Sequence, residues 1–374
     1  MKALILSVKA GYGHHSTGQA VIAALEKRGF ECILLDTFEY VNVHLANSIS
    51  DGYLFSTKHL PKTYKKTYEQ FNRHTEKYDK RSLVSIFSKL VSHKLKAFFE
   101  DYTPDLVIGT HSYACLLVTY LLEEHIINCP TFGIVTDFTV HPFWESTEID
   151  YYVTPDALLN RQMAKKGIPE EKILPFGIPI KDKFSKKIPK NTARDMLKIP
   201  DITTILIMMG SMGYGNIIST LKLIDAIEER FQILCVCGSN TKAKKEIDAI
   251  SWKKPLYSFG FVDNVDVMMD ASDLIITKPG GLTTSELLAK GLPAIITDPI
   301  PGQEKRNTEF LVNNGAAVMV TETFPIDEAL YELFKYPWRL DMLESAVSHL
   351  GKPHATEELV DFIEKTLKGK TPEQ

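Results

Sequence analysis

Between Lys278 and Asn307 the chain reads K-P-G-G-L-T-T-S-E-L-L-A-K-G-L-P-A-I-I-T-D-P-I-P-G-Q-E-K-R-N. Two adjacent glycines, Gly280 and Gly281, let a backbone approach a ligand with no Cβ in the way. A helix expected to open at Thr283 and Thr284 would aim its free N–H groups and positive dipole end at that ligand, which suits a phosphate. A second glycine loop, Pro299 to Glu304, adds an amide and a carboxylate, Gln303 and Glu304, groups suited to hydroxyls. Phosphate beside hydroxyls points to a nucleotide-sugar. Glu286 stands in the same segment with two readings open. Thr283-x-x-Glu286 is the spacing of a helix capping box, and Glu286 is also a carboxylate placed to meet a ligand.

A second chemical locus lies near the start. Ala10-Gly11-Tyr12-Gly13-His14-His15-Ser16 follows the apolar run Ala3–Val8, and a helix is expected from about Thr17 to Arg28. The place is that of a Rossmann turn, but Ser16 stands where the dinucleotide fingerprint has its third glycine. Asp36 ends the second apolar run, so a dehydrogenase reading stays open. The histidines favour another chemistry. An imidazole at the carboxyl edge of a sheet, with an unperturbed pKa near ~6.5, can take a proton from a hydroxyl at neutral pH.

These residues need a frame to hold them. Buried-type runs at 3–8, 32–37, 106–109, 131–136, 151–154 and 173–176 alternate with helical stretches. A stretch rich in Pro and Lys follows, with Pro179, Pro189 and Pro200, and residues 181–200 read as a linker with a short helix. The pattern then restarts at 204–208, 232–237, 256–259, 274–277, 294–297 and 317–320. Runs of this kind separated by helices predict parallel sheets. Two such blocks predict two Rossmann-like α/β domains, 1–180 and 201–350, with parallel sheets facing a central cleft. Leu359, Phe362, Ile363 and Leu367 form one helical stripe, and the segment 351–374 is expected to return to the N-terminal domain.

Composition narrows the class further. The chain has 374 residues, enough for two ordinary domains, and its 24% charged residues suit a globular protein. The apolar run after Met1-Lys2 is too short for a signal peptide, and none approaches the ~18 residues of a spanning helix. A cytoplasmic location is expected. The five cysteines, Cys32, Cys115, Cys129, Cys235 and Cys237, include no C-x-x-C pair and read as core thiols. Charge is uneven: residues 56–98 hold 11 Lys/Arg against 3 Asp/Glu, while the rest of the chain holds 32 against 44. Lys62, Lys65, Lys66 and Arg73 are interleaved there with Phe71 and Phe87. Cations among aromatics suit an anionic membrane surface, with a solvated helix pair as the alternative. No nucleic-acid motif accompanies the charge.

Four segments together resemble one family. They are Gly11-Tyr12-Gly13-His14, Val135-Thr136-Asp137-Phe138 with His141 and Trp144, Met209-Gly210-Ser211-Met212-Gly213, and the segment Lys278–Asn307. The chain resembles glycosyltransferase family 28, and within it the diacylglycerol glycosyltransferases: the plant monogalactosyldiacylglycerol synthases and the bacterial processive glucosyltransferases. The resemblance runs in order over nearly the whole chain. It implies the GT-B fold, a UDP-glucose or UDP-galactose donor on the C-terminal domain, and an acceptor on the N-terminal domain. It also implies an inverting mechanism, giving a β-glycosyl lipid at the cytoplasmic membrane face.

The resemblance also implies roles. His14 matches the general base, Glu286 the acid that grips ribose, and Gln303 with Glu304 the pair that reads the sugar. Gly210, Ser211, Met212 and Gly213 match the loop beside the donor phosphates, and Phe261 the edge that frames uracil. Gly13, Gly280, Gly281 and Thr283 complete the expected donor set. Asn307 either touches donor or orders its loop. Asp137 and His141 orient His14 or the acceptor, with a turn cap as the alternative for Asp137; Trp144 packs or meets lipid. Tyr12 and Leu287 depart from the residues usual in relatives. No D-x-D motif is present, so a metal-independent enzyme with no cofactor besides the co-substrate is expected. Other lipid-linked acceptors, a nucleotide-sugar epimerase and a non-catalytic sensor are the rival readings.

Overall fold

The computed structural model describes residues 1–8, 12–37, 39, 98–99, 101–210 and 217–370. It divides into two units: Met1–Asp182 with His354–Gln374, and Lys183–Pro353.

The first unit runs β1 (Lys2–Ser7), α1 (Tyr12–Lys27), β2 (Glu31–Asp36), β3 (Leu106–Gly109), α2 (Ser112–Glu123), β4 (Thr131–Ile134), β5 (Tyr151–Val153) and β6 (Ile173–Leu174). All strands pair in parallel, in the order β2-β1-β3-β4-β5-β6. Ala3 to Leu6 and Leu106 to Ile108 are fully buried, which is why these strands read as continuous apolar runs rather than alternating ones. The order reverses between β1 and β3. In open α/β sheets the crevice beyond the carboxyl ends at such a switch point is where ligands bind.

Gly109 ends β3 under tight constraint, because a Cβ there would lie 2.5 Å from Cys115 Sγ in α2. Gly109→Ala is expected to cost about 1–3 kcal/mol through overpacking. Chemical denaturation should show the loss, and adding Cys115→Ala should recover most of it.

The second unit holds β7 (Thr204–Met208), β8 (Gln232–Val236), β9 (Leu256–Phe259), β10 (Leu274–Thr277), α3 (Gly281–Lys290), β11 (Ala294–Ile296), α4 (Gln303–Asn313) and β12 (Ala317–Met319). Its strands are also all parallel, ordered β12-β11-β10-β7-β8-β9, with the reversal between β7 and β10. Ile205, Ile207, Ile233, Ile276 and Ile295 form the centre of its core. From Lys183 onward the stretch rich in Pro and Lys belongs to this unit. Its helix Lys190–Leu197 carries Arg194, a buried side chain that donates to Asp201 (2.5 Å), Asp273 (2.7 Å) and the Ala271 carbonyl (3.0 Å). Asp273 also accepts from the Thr204 N–H, which fixes the start of β7.

The last helix, α5 (Ala355–Lys370), returns to the first unit. Leu359, Val360 and Ile363 join the core of β1 and β3, and Phe362 packs edge-on against Phe132 and Tyr151. Arg28, just past α1, reaches Asp361 and Glu364. The apolar stripe read from this segment is therefore a packing face. All five cysteines are free, and Cys115, Cys235 and Cys237 are buried.

Two helix starts differ from the sequence reading. Helix α1 begins at Tyr12, so Gly13, His14 and His15 lie in its first turn rather than in a loop before Thr17. Helix α3 begins at Gly281, with Gly280 at its N-cap in extended backbone. The α3 start carries none of the Ser, Thr, Asp or Asn caps that mark a helix opening in sequence.

Candidate active site

In the first unit the chemistry gathers at the switch point. Strand β1 delivers His14 on the first turn of α1, β3 delivers Thr110 and His111, and β4 delivers Thr136 and Asp137. His14 Nδ1 lies 3.0 Å from the Thr110 carbonyl and 2.8 Å from Thr136 Oγ1. A carbonyl can only accept, so Nδ1 carries the proton and Nε2 is left as the basic nitrogen. Burial pushes the His14 pKa down to about 4, outweighing the Thr110 carbonyl, which favours the protonated ring. The imidazole is therefore neutral at neutral pH and oriented with a free lone pair. That is the state a general base needs.

His111 stands edge-on to His14, with ring centres 4.6 Å apart. It caps α2: its Nδ1 accepts from the Tyr113 N–H at 3.1 Å. Burial, with the neighbouring His14 and His141 rings, holds its pKa well below the ordinary value. His141 plays the same capping role for the short helix Pro142–Ser146, its Nδ1 accepting from the Phe143 N–H at 3.2 Å. The residue on His14 from the segment after β4 is Thr136, the neighbour of Asp137. Asp137 itself is half-buried. Trp144 is only 4% exposed and packs beside Tyr152 and Gly133, as a core residue.

In the second unit Gly210 follows β7 with φ at 75°, a left-handed backbone that favours glycine. Lys278 and the Pro279-Gly280 turn follow β10, on the other side of the reversal. Among the described residues, nothing lies within 4 Å of where a Cβ of Gly280 would project. Gly281 opens α3, so the first N–H groups of that helix, through Thr283, carry its positive end. Because the cap is Gly280, Thr283 lies inside the helix, and the capping-box reading of Thr283 and Glu286 is excluded. Glu286 sits one turn in, half-buried. Phe261, 73% exposed, stands just past β9 and Gly260.

The second glycine loop closes on itself. Gly302, at φ 107°, caps α4, and Gln303 and Glu304 are that helix's first two residues. Glu304 Oε2 accepts from the Ile300 N–H at 2.7 Å. Burial raises the Glu304 pKa, while the Ile300 bond and the Lys278 charge oppose the rise. Asn307 is fully buried, and its amide donates to the Pro279 carbonyl at 2.9 Å. Asn307 thus ties the second glycine loop's helix to the Pro279-Gly280 turn.

Ser211, Met212 and Gly213 lie outside the described residues, as do Lys62, Lys65, Lys66, Phe71, Arg73 and Phe87. Two residues at His14, Thr110 and His111, escaped the sequence reading, and Thr136 stood in the Val135–Phe138 segment with no role of its own. The signal that singled out His14, a polar residue just past a buried strand, applies equally to Thr110-His111 after β3, and His111-Ser112 opens a helix.

Comparison with known proteins carries the assignment further. Residues 14–180 match the monogalactosyldiacylglycerol (MGDG) synthase family, and residues 204–359 match the glycosyltransferase family 28 C-terminal domain. Two parallel sheets, each with polar groups at its switch point, and these two matches in series define a glycosyltransferase of the GT-B fold. The chain belongs to glycosyltransferase family 28. It is 28% identical to the processive diacylglycerol beta-glucosyltransferase of Bacillus cereus (strain AH187), over 97% of this chain and 93% of the relative. Among solved structures it is similar in fold to MurG of Acinetobacter baumannii (TM-score 0.64, 15% identity, 97% of this chain and 99% of that one). It is likewise similar to the S. aureus MnaA–UDP co-structure (TM-score 0.64, 17% identity, 98% and 97%).

Proposed function

We propose that the enzyme transfers glucose or galactose from a UDP-sugar to diacylglycerol, inverting the anomeric carbon to give a β-glycosyl lipid. The observation that carries this reading is the state of His14: neutral, anchored through Nδ1, with Nε2 free to accept the proton of an acceptor hydroxyl. The acceptor is inferred from the MGDG synthase match and from the diacylglycerol named for the Bacillus relative. The donor is inferred from the second unit's own groups.

In this mechanism the acceptor oxygen attacks the anomeric carbon as its proton passes to His14 Nε2, and the bond to the UDP oxygen breaks. The departing diphosphate gathers charge where the α3 N–H groups and the open Gly280-Gly281 turn can meet it, an arrangement that lowers the barrier by preorganised dipoles. Glu286 holds the ribose hydroxyls, Gln303 and Glu304 the sugar, and Phe261 the uracil face. Ser211, Met212 and Gly213 are assigned to the diphosphate on sequence alone. The basic, aromatic stretch 56–98 supports contact with an anionic bilayer, and no helix among the described residues is long and apolar enough to cross one.

Glu286→Ala is expected to weaken UDP by about ten- to a hundredfold, the worth of hydrogen bonds to a charged group. Titration calorimetry with UDP measures it, and unchanged affinity removes Glu286 from the ribose site. The acceptor is tested by UDP release from UDP-glucose or UDP-galactose with and without diacylglycerol in anionic vesicles. Release that depends on diacylglycerol supports the reading; release unaffected by it overturns the acceptor.

A further inference from the structure

His14 is not alone at its switch point. His111 Nδ1 is committed to the Tyr113 N–H at the start of α2, and an accepting nitrogen carries no proton. In the neutral ring the proton must then sit on Nε2. That N–H has no hydrogen-bond partner among the described residues, and the residue is half-buried. His14 presents the opposite nitrogen: its Nδ1 is the anchored donor and its Nε2 the open acceptor. Two neutral imidazoles with centres 4.6 Å apart therefore offer one acceptor and one donor side by side. Half-buried rings cluster around His111: Tyr113 stacks on it at 5.0 Å, Phe143 packs on Tyr113 at 5.3 Å, and His141 meets Phe143 at 4.7 Å.

We propose that His111 is a specificity-determining residue, whose Nε2–H binds the oxygen next to the acceptor hydroxyl while His14 receives that hydroxyl's proton. The ligand class is a glycerol ester with a free primary hydroxyl and an ester oxygen on the adjacent carbon. One His ring takes the hydroxyl, the other donates to the neighbouring ester, and the aromatic cluster lies beside the chain beyond. No bond forms or breaks at His111; it aligns the hydroxyl and selects the acceptor. The inference rests on the diacylglycerol reading above.

The test compares two acceptors in the same anionic vesicles: 1,2-diacylglycerol, and a long-chain monoester of 1,3-propanediol, which keeps the primary hydroxyl but lacks the adjacent oxygen. The wild type is expected to favour diacylglycerol on the order of tenfold in kcat/KM, the worth of one hydrogen bond. His111→Asn keeps a side-chain acceptor for the helix start but does not reach as far. It should lower kcat/KM for diacylglycerol to the level of the analogue, so that the preference disappears. A wild type indifferent to the two acceptors overturns the proposal without any variant. So does a His111→Asn enzyme that slows both acceptors equally, since that result means the ring only supports His14. Transfer to neither acceptor by the wild type would instead count against the diacylglycerol reading itself.

Discussion

A His14→Gln enzyme will lose about 10²–10⁴-fold in kcat, the usual contribution of a positioned general base, while its affinity for UDP stays unchanged. Glutamine is close to histidine in length but carries no basic nitrogen. The wild-type pH profile gives an independent check. The base must be unprotonated, so the rate falls as pH drops through the His14 pKa. With that pKa pushed down to about 4 by burial, kcat/KM should stay flat from pH 7.5 to about 5.5, where an ordinary histidine, at ~6.5, would already be mostly protonated. A limb near 6.5 would mean that the ring is hydrated in the working enzyme. The same shift has a stability consequence. The unfolded chain takes up the proton near ~6.5 and the folded one only near 4, so His14 makes stability fall as pH drops between those values.

The second large effect is structural and lies at the far end of the donor helix. Lys290 in α3 is 1% exposed and pairs at 2.6 Å with Asp270, 0% exposed, in the helix Val265–Ala271; Lys290 also donates to the Lys186 carbonyl. Lys290→Met is expected to cost about 3–5 kcal/mol, because it strands a buried carboxylate rather than because the pair itself is strongly stabilising. Asp270 Oδ1 has no hydrogen-bond partner among the described residues, so without Lys290 the carboxylate keeps only the Ile188 N–H, 3.2 Å from Oδ2. Urea denaturation of Lys290→Met, Asp270→Leu and the double variant tests this. The double variant should recover most of the loss, since replacing both charges by apolar groups is often neutral. Equal and additive losses would show that the two residues act separately.

Lys290 also shows where sequence reading stops. In the sequence it is an ordinary lysine before a helix-ending glycine, and Gly291 does end α3 with φ at 67°. Nothing local reports a carboxylate 20 residues earlier arriving beside it. The same limit explains His111 and Thr136. Their contacts to His14 join β1, β3 and β4, and they exist only once strand order is known. By contrast the twelve strands were legible because both faces of each sheet are covered and the apolar runs are unbroken. The donor segment was legible because its glycines, its helix and its loop are contiguous. The helix start at Gly281 was not, since a glycine N-cap leaves little local signal, and neither was the start at Tyr12. Glu286 illustrates the consequence: moving the cap from Thr283 to Gly280 turns a plausible capping carboxylate into a residue of the helix interior.

The most direct test is to identify the product. The purified full chain would be incubated with diacylglycerol in anionic vesicles and, in parallel, with UDP-glucose or UDP-galactose, and the lipid fraction analysed by mass and by the anomeric proton coupling. A hexosyl-diacylglycerol with a β linkage, formed from one of the two donors and absent with His14→Gln, is the expected result. An α-linked product, or no lipid-bound hexose from an enzyme that binds UDP, would contradict the account.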